Sequence, residues 1–386
     1  VDDKTVQFTT KEEMPITTFE NSYARYLLTL PKHVIEQYSE EELSTADWFN
    51  HPDVVSGPFI VTDFDVDHYI SYEANKDYWK GAPKIDKLNI KIVDGSQLYA
   101  GLQSGEIDIT QQTMSDIPQE DYESVEALDN VDVVYGSPVT NQSVFIQTKN
   151  VPDVKVRQAM LYAIDRQQIL EELLNGHGEI VDGFLSSASP FYDDSLTPVS
   201  YDPEKAKTIL EDAGCTMGEN GFYERNGKEI GFVISVMAGE QDRIDIAQAA
   251  AQQLREVGIH CTVDIPAKMD WGGQQACLIG WGSPFDADDH TYKVFGTDKG
   301  ANYSGYSNEK VDEYLTKARE SSDPAVRKEY YDLFQVALAN DPAFAFICYI
   351  DANYVASARL HGISTDTVMG HHGVGIFWNV CEWTLD

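Results

Sequence analysis

Two hydrophobic periods take turns along this chain of 386 residues. Residues 88–93 carry apolar side chains at every second position and 232–237 read as a strand, whereas 153–174 and 244–257 repeat them at helical spacing. Strand and helix patterns follow one another for most of the length, which specifies a mixed α/β architecture. The punctuation agrees. Asp153 suits an N-cap, and Asp202-Pro203-Glu204 opens a helix that Gly214 ends. Residues 59–73 read as a hairpin turning at 65–68, and 96–104 as a short helix stopped by Gly105. Gly176 and Gly178 stop the 153–174 helix. Strands are also expected at 1–10, 107–109 and 376–378.

With 42% hydrophobic residues the chain can bury a large core, and its length suits two or three domains. Sixty-four Asp and Glu face 28 Lys and Arg, a formal net charge of -36 that repels phosphate backbones and anionic membranes. Nucleic acid is therefore excluded as an expected partner. No apolar run approaches the roughly 18 residues of a membrane helix. The five cysteines, Cys215, Cys261, Cys277, Cys348 and Cys381, are odd in number and lack metal-site spacing, so they read as buried thiols.

Three segments carry a resemblance. Gly57-Pro58-Phe59-Ile60 through Asn75-Lys76-Asp77-Tyr78-Trp79-Lys80-Gly81, then Ser104-Gly105-Glu106-Ile107-Asp108-Ile109, and the helix start Val151-Pro152-Asp153-Val154-Lys155-Val156-Arg157-Gln158-Ala159-Met160 resemble the dipeptide-, oligopeptide- and nickel-binding proteins of ABC importers. The resemblance implies a two-lobed periplasmic-binding-protein-like fold of class II, with a ligand cleft between lobes joined by two crossover strands. It implies one lobe over 1–142 and 353–386 and another over 143–352. It implies an extracytoplasmic monomer, periplasmic or a cell-surface lipoprotein, that delivers a small-molecule ligand to a membrane permease. About a hundred further residues, comparable to a small domain, would precede residue 1 and include an export signal. Between Trp271 and Trp281 the resemblance implies room for a helix and a strand, where this chain has nine residues.

Arg243 lies where a strand pattern gives way to a helix, a place that combines a fixed cation with helix-dipole amides and suits a ligand carboxylate. The alternative is an internal partner for Asp242 or Asp245. Arg25 lies near the position where nickel-binding relatives set an arginine against a chelator carboxylate, or is a surface arginine. In Gly280-Trp281-Gly282-Ser283-Pro284-Phe285-Asp286-Ala287-Asp288-Asp289-His290, Pro284 occupies the place of an aspartate that pairs with a peptide's amino group. That form is similar to the nickel-binding members, with Trp281 and Phe285 as an aromatic wall for a flat chelate, or as core. Asp286 could instead take a peptide's amino terminus. His371-His372, flanked by Gly370 and Gly373, resembles a metal-binding prong in which one imidazole ligates nickel and the other orients it. An exposed loop is the alternative, and His290 reads as a turn residue.

No Gly-x-Ser-x-Gly elbow, His-Glu-x-x-His helix, phosphate loop or Gly-x-Gly-x-x-Gly motif occurs, so no enzyme is expected. The preferred ligand is nickel held in a small organic chelate, as cargo and not as cofactor. A di- or oligopeptide is the alternative within the family, and a metal-dependent hydrolase using His371 and His372 lies outside it. A peptide receptor without transport would need the same cleft.

Overall fold

A computed structural model of the chain describes all residues except 1, 3, 51, 111–116, 118–120, 283, 284, 368 and 370–374, and only the backbone of 137–139. The chain packs as two compact units. One holds Val1–Arg25 and Ser137–Asp351, and the other holds Tyr26–Gly136 with Ala352–Gly370 and Val374–Asp386. The sequence reading places the N-terminal segment with 26–142. The reason for the difference is polar: Thr18 and Arg25 are bonded to Asp286 and Asp289.

The larger unit is built on a six-stranded mixed sheet, two of whose strands continue into the smaller unit through 131–136 and 352–357. Its strands run in the order His260–Asp264, Gly231–Ser235, Ala276–Trp281, Val131–Ile146, Phe344–Ser357 and Gly178–Glu179. The first three are parallel neighbours, and Ala276–Trp281 is antiparallel to Val131–Ile146, with Gly280 opposite Gln142 and Trp281 opposite Asn141. Side chains alternate between the faces. Cys277, Ile279 and Trp281 point toward the core shared with helices Asp288–Phe295, Glu309–Arg319 and Pro324–Asn340. Gly280 points the other way, toward Arg243 in helix Gln241–Glu256.

Capping sets the helix boundaries. Asp153, Asp202, Asn308 and Asp323 each accept a backbone N–H in the first turn of the helix that follows. The 153–174 pattern, expected as one helix, forms two, Val154–Ala163 and Arg166–Leu173. Between them Ile164 is extended and the Asp165 side chain accepts from Gln168, so a second cap overrides the periodicity. From Trp271 a turn leads directly into strand Ala276–Trp281.

In the smaller unit, Phe59–Asp65, Tyr69–Ala74 and Lys87–Lys91 form an antiparallel meander whose first turn holds Asp67 at φ 70°. Helix Leu98–Ser104 ends at Gly105, φ 73°. Three expected strands do not form. Among the described residues of 1–10 there is one bridge, between Asp2 and Thr5. Residues 107–109 contribute one bridge, Ile109 to Ala356, and 376–378 belong to the 3-10 helix Ile376–Glu382. Among the described residues no helix is long and apolar enough to cross a membrane.

Candidate functional site

Strand Gly231–Ser235 ends in a loop that Gly239, at φ 92°, turns into helix Gln241–Glu256. The first turn of that helix carries Arg243, which is only 6% exposed. Its Nε donates to Gln142 Oε1 at 2.9 Å, and its Nη1 lies 2.8 Å from Glu240 Oε2. Among the described residues Nη2 is buried without an acceptor. A Cβ on Gly280 would lie 2.7 Å from that nitrogen, so the absence of a side chain there makes the room the guanidinium occupies. A buried donor without a partner forfeits roughly 1–3 kcal/mol, which a ligand oxygen would recover. The internal acidic partner of Arg243 is Glu240, while the Asp245 carboxylate accepts from Gln241.

Trp281 follows Gly280 on the same strand and projects from the opposite face. Its ring stands edge-on to His290, with centroids 4.9 Å apart at 67°, and 6.2 Å from the ring of Tyr303. Tyr303 in turn stacks on Trp271 at 4.8 Å. Arg243 and Trp281 therefore share the carboxyl end of one strand from its two sides, where open α/β sheets bind ligands. Trp271 and Tyr303 carried no motif, and only their rings' stacking brings them into view.

Asp286 is 4% exposed and holds Arg327 through both oxygens, with Nη2 to Oδ1 at 2.7 Å and Nη1 to Oδ2 at 3.0 Å. Thr18 Oγ1 adds a third bond at 3.3 Å, and Oδ1 also accepts the Asp288 N–H. The structure thus gives this carboxylate an internal partner in place of a peptide's amino group. Arg25 is likewise engaged, donating to Asp289 at 2.6 Å with its guanidinium 4.9 Å above the Phe285 ring. Phe285 accordingly serves as a base for Arg25. Burial pushes Asp288 up to about 6, although Arg319 lies 2.9 Å away, and burial also raises Asp289. Pro284, His371 and His372 lie outside the described residues. Among the described residues no three His, Cys, Asp or Glu side chains come together as a metal site.

Residues 1–303 match the model of the bacterial extracellular solute-binding proteins, family 5. The chain is 28% identical over 378 residues to the oligopeptide-binding protein AppA of Bacillus subtilis, covering 92% of this chain and 66% of that protein. It thus spans just under two thirds of that relative's length. The structure of NikZ from Campylobacter jejuni in complex with Ni(L-His) superposes with a TM-score of 0.81 at 32% identity, over 92% of this chain and 72% of that one. The AppA structure from Bacillus subtilis, in complex with a nonapeptide, gives 0.82 at 26% identity over 98% and 76%. The mixed α/β architecture is therefore that of the two-lobed periplasmic binding proteins. This chain belongs to the family 5 bacterial extracellular solute-binding proteins.

Proposed function

We infer that this chain is the solute-capturing part of an ABC importer, acting outside the cytoplasm by binding and delivery to a permease and not by catalysis. The observation that carries this reading is the Arg243 guanidinium, buried at the carboxyl end of a strand with Nη2 lacking an acceptor among the described residues. Such a group pairs a carboxylate in a desolvated setting, where a charge-assisted bond is strong. The preferred ligand is a nickel ion in a small organic chelate such as histidine. Arg243 would hold the chelate's carboxylate, Trp281 would lie against its flat face, and His371 or His372 would reach the metal. Similarity to a protein solved with Ni(L-His), at 32% identity, supports this choice. Similarity to a protein solved with a nonapeptide supports the second reading, a peptide whose carboxylate Arg243 holds. With Asp286 committed to Arg327, the peptide reading lacks the anchor the sequence offered it.

Calorimetric titration of Arg243→Ala and Arg243→Lys against nickel(II) with excess L-histidine tests the assignment. Loss of a charge-assisted bond predicts a weakening of roughly ten- to a hundredfold for the alanine variant. Unchanged affinity in both variants would remove Arg243 from the site.

A further inference from the structure

One ion pair and several hydroxyl hydrogen bonds fasten residues 17–25 to the segment just after Trp281, where two further ion pairs lie alongside. Asp286, Asp288 and Asp289 stand at the start of helix Asp288–Phe295, all at most 5% exposed, and each takes a different arginine. Asp286 takes Arg327, Asp288 takes Arg319 and Asp289 takes Arg25. Arg327 Nη1 and Nη2 also reach the Thr17 and Thr18 hydroxyls, and Arg319 Nη2 reaches the Tyr23 hydroxyl at 3.1 Å. All of these residues belong to the larger unit, and the chain leaves it directly after Arg25.

One of the three pairs continues to Trp281. Asp289 Oδ2, which accepts from Arg25, lies 3.7 Å from His290 Nε2. His290, 1% exposed, accepts the Gly282 N–H on Nδ1 at 3.3 Å and meets the Trp281 ring edge-on. Because Nδ1 accepts, the neutral ring carries its proton on Nε2, the nitrogen facing Asp289. Arg25 therefore pairs with Asp289, whose carboxylate faces His290 Nε2 at 3.7 Å as a charge neighbour without a hydrogen bond, and His290 in turn holds the Gly282 N–H and packs against Trp281. Lys293 also approaches Asp289, at 3.6 Å, with its ammonium 5.8 Å over the Trp281 ring.

We propose that Arg25 is a positioning residue that acts through Asp289 and His290 to hold Gly282 and Trp281 ready for the ligand, without contacting the ligand itself. Its consequence for binding rests on the reading above, but the mechanical linkage does not. Ordering this segment in advance removes a cost that binding would otherwise carry.

The linkage is tested without ligand by hydrogen–deuterium exchange on the whole chain, comparing wild type with Arg25→Ala, Arg25→Lys and Asp289→Asn. Arg25→Ala and Asp289→Asn should raise uptake in peptides from 276–282 and 285–295. Arg25→Lys should stay near wild type, and helix Pro203–Asp212 should not change in any variant. Faster exchange confined to 16–25 would reduce Arg25 to a peg for the N-terminal segment and overturn the proposal. Calorimetry with nickel(II) plus L-histidine forms the second arm. Arg25→Ala and Asp289→Asn should each weaken binding roughly three- to tenfold, and the double variant should be no worse than either, because the two act in one chain. Loss of binding in Arg25→Ala alone, with Asp289→Asn intact, would make Arg25 a ligand contact and sink the positioning role. If wild type binds no nickel–histidine, the ligand reading fails while the exchange arm still decides the linkage.

Discussion

Asp286→Ala removes one partner of an ion pair in which the two side chains are 2% and 5% exposed. The substitution leaves Arg327 buried above the Phe191 and Tyr331 rings, at 4.8 and 5.7 Å, with its two bonds to carboxylate oxygens gone and neutral partners such as Thr17, Thr18 and the Ala318 carbonyl remaining. Breaking a buried pair from one side costs about 3–5 kcal/mol, because the surviving charge stays in low dielectric. The Asx bond from Asp286 to the Asp288 N–H is lost as well, which puts the effect toward the upper end. For a unit of this size each kcal/mol moves Tm by about 2–4 °C, so the larger unit should melt roughly 6–20 °C earlier. Scanning calorimetry reads this, since two compact units need not unfold together. Asp286→Leu combined with Arg327→Met removes both charges and should recover most of the loss. A drop below about 3 °C for Asp286→Ala, or a double variant no better than the single one, would show that the pair is hydrated and refute the reasoning.

Gly280→Ala places a Cβ 2.7 Å from Arg243 Nη2 and 3.0 Å from the Asn141 carbonyl oxygen, so nickel–histidine affinity should fall at least tenfold in calorimetry, even if the fold is retained. Burial raises Asp288 to about 6 in the folded chain, above its unfolded value, so its stabilising contribution is complete below about pH 3.9 and is lost as pH rises through 6. Chemical denaturation between pH 4 and 7 should show that decline in wild type and not in Asp288→Asn. Burial also pushes the thiols of Cys261, Cys277 and Cys348 up to about 12. Iodoacetamide at pH 8 should therefore label Cys381 first, by peptide mass mapping, and leave these three unmodified until the chain unfolds.

What could be read from residue order was what neighbouring residues decide. Asp153 and Asp202 cap where short-range chemistry places them, and the meander and Gly105 follow from turn residues and alternation. Arg243 was also legible, because a strand pattern, a glycine turn and a helix pattern fix its place at a strand's carboxyl end. The roles of Asp286 and Arg25 were not, since their partners lie 41 and 264 residues away and any of 64 acidic residues could have paired. Residues 1–10 alternate like a strand, but alternation specifies only a face, and the described residues of this segment form a single bridge in place of a ladder.

The most direct test of the central claim is calorimetric titration of the purified, chelator-stripped chain with nickel(II) plus excess L-histidine, alongside nickel alone, histidine alone and a mixed peptide pool. The account predicts a saturable site that requires nickel and histidine together and weakens in Arg243→Ala. Heat from the peptide pool alone, with none from nickel and histidine, would contradict it and assign Arg243 to a peptide carboxylate.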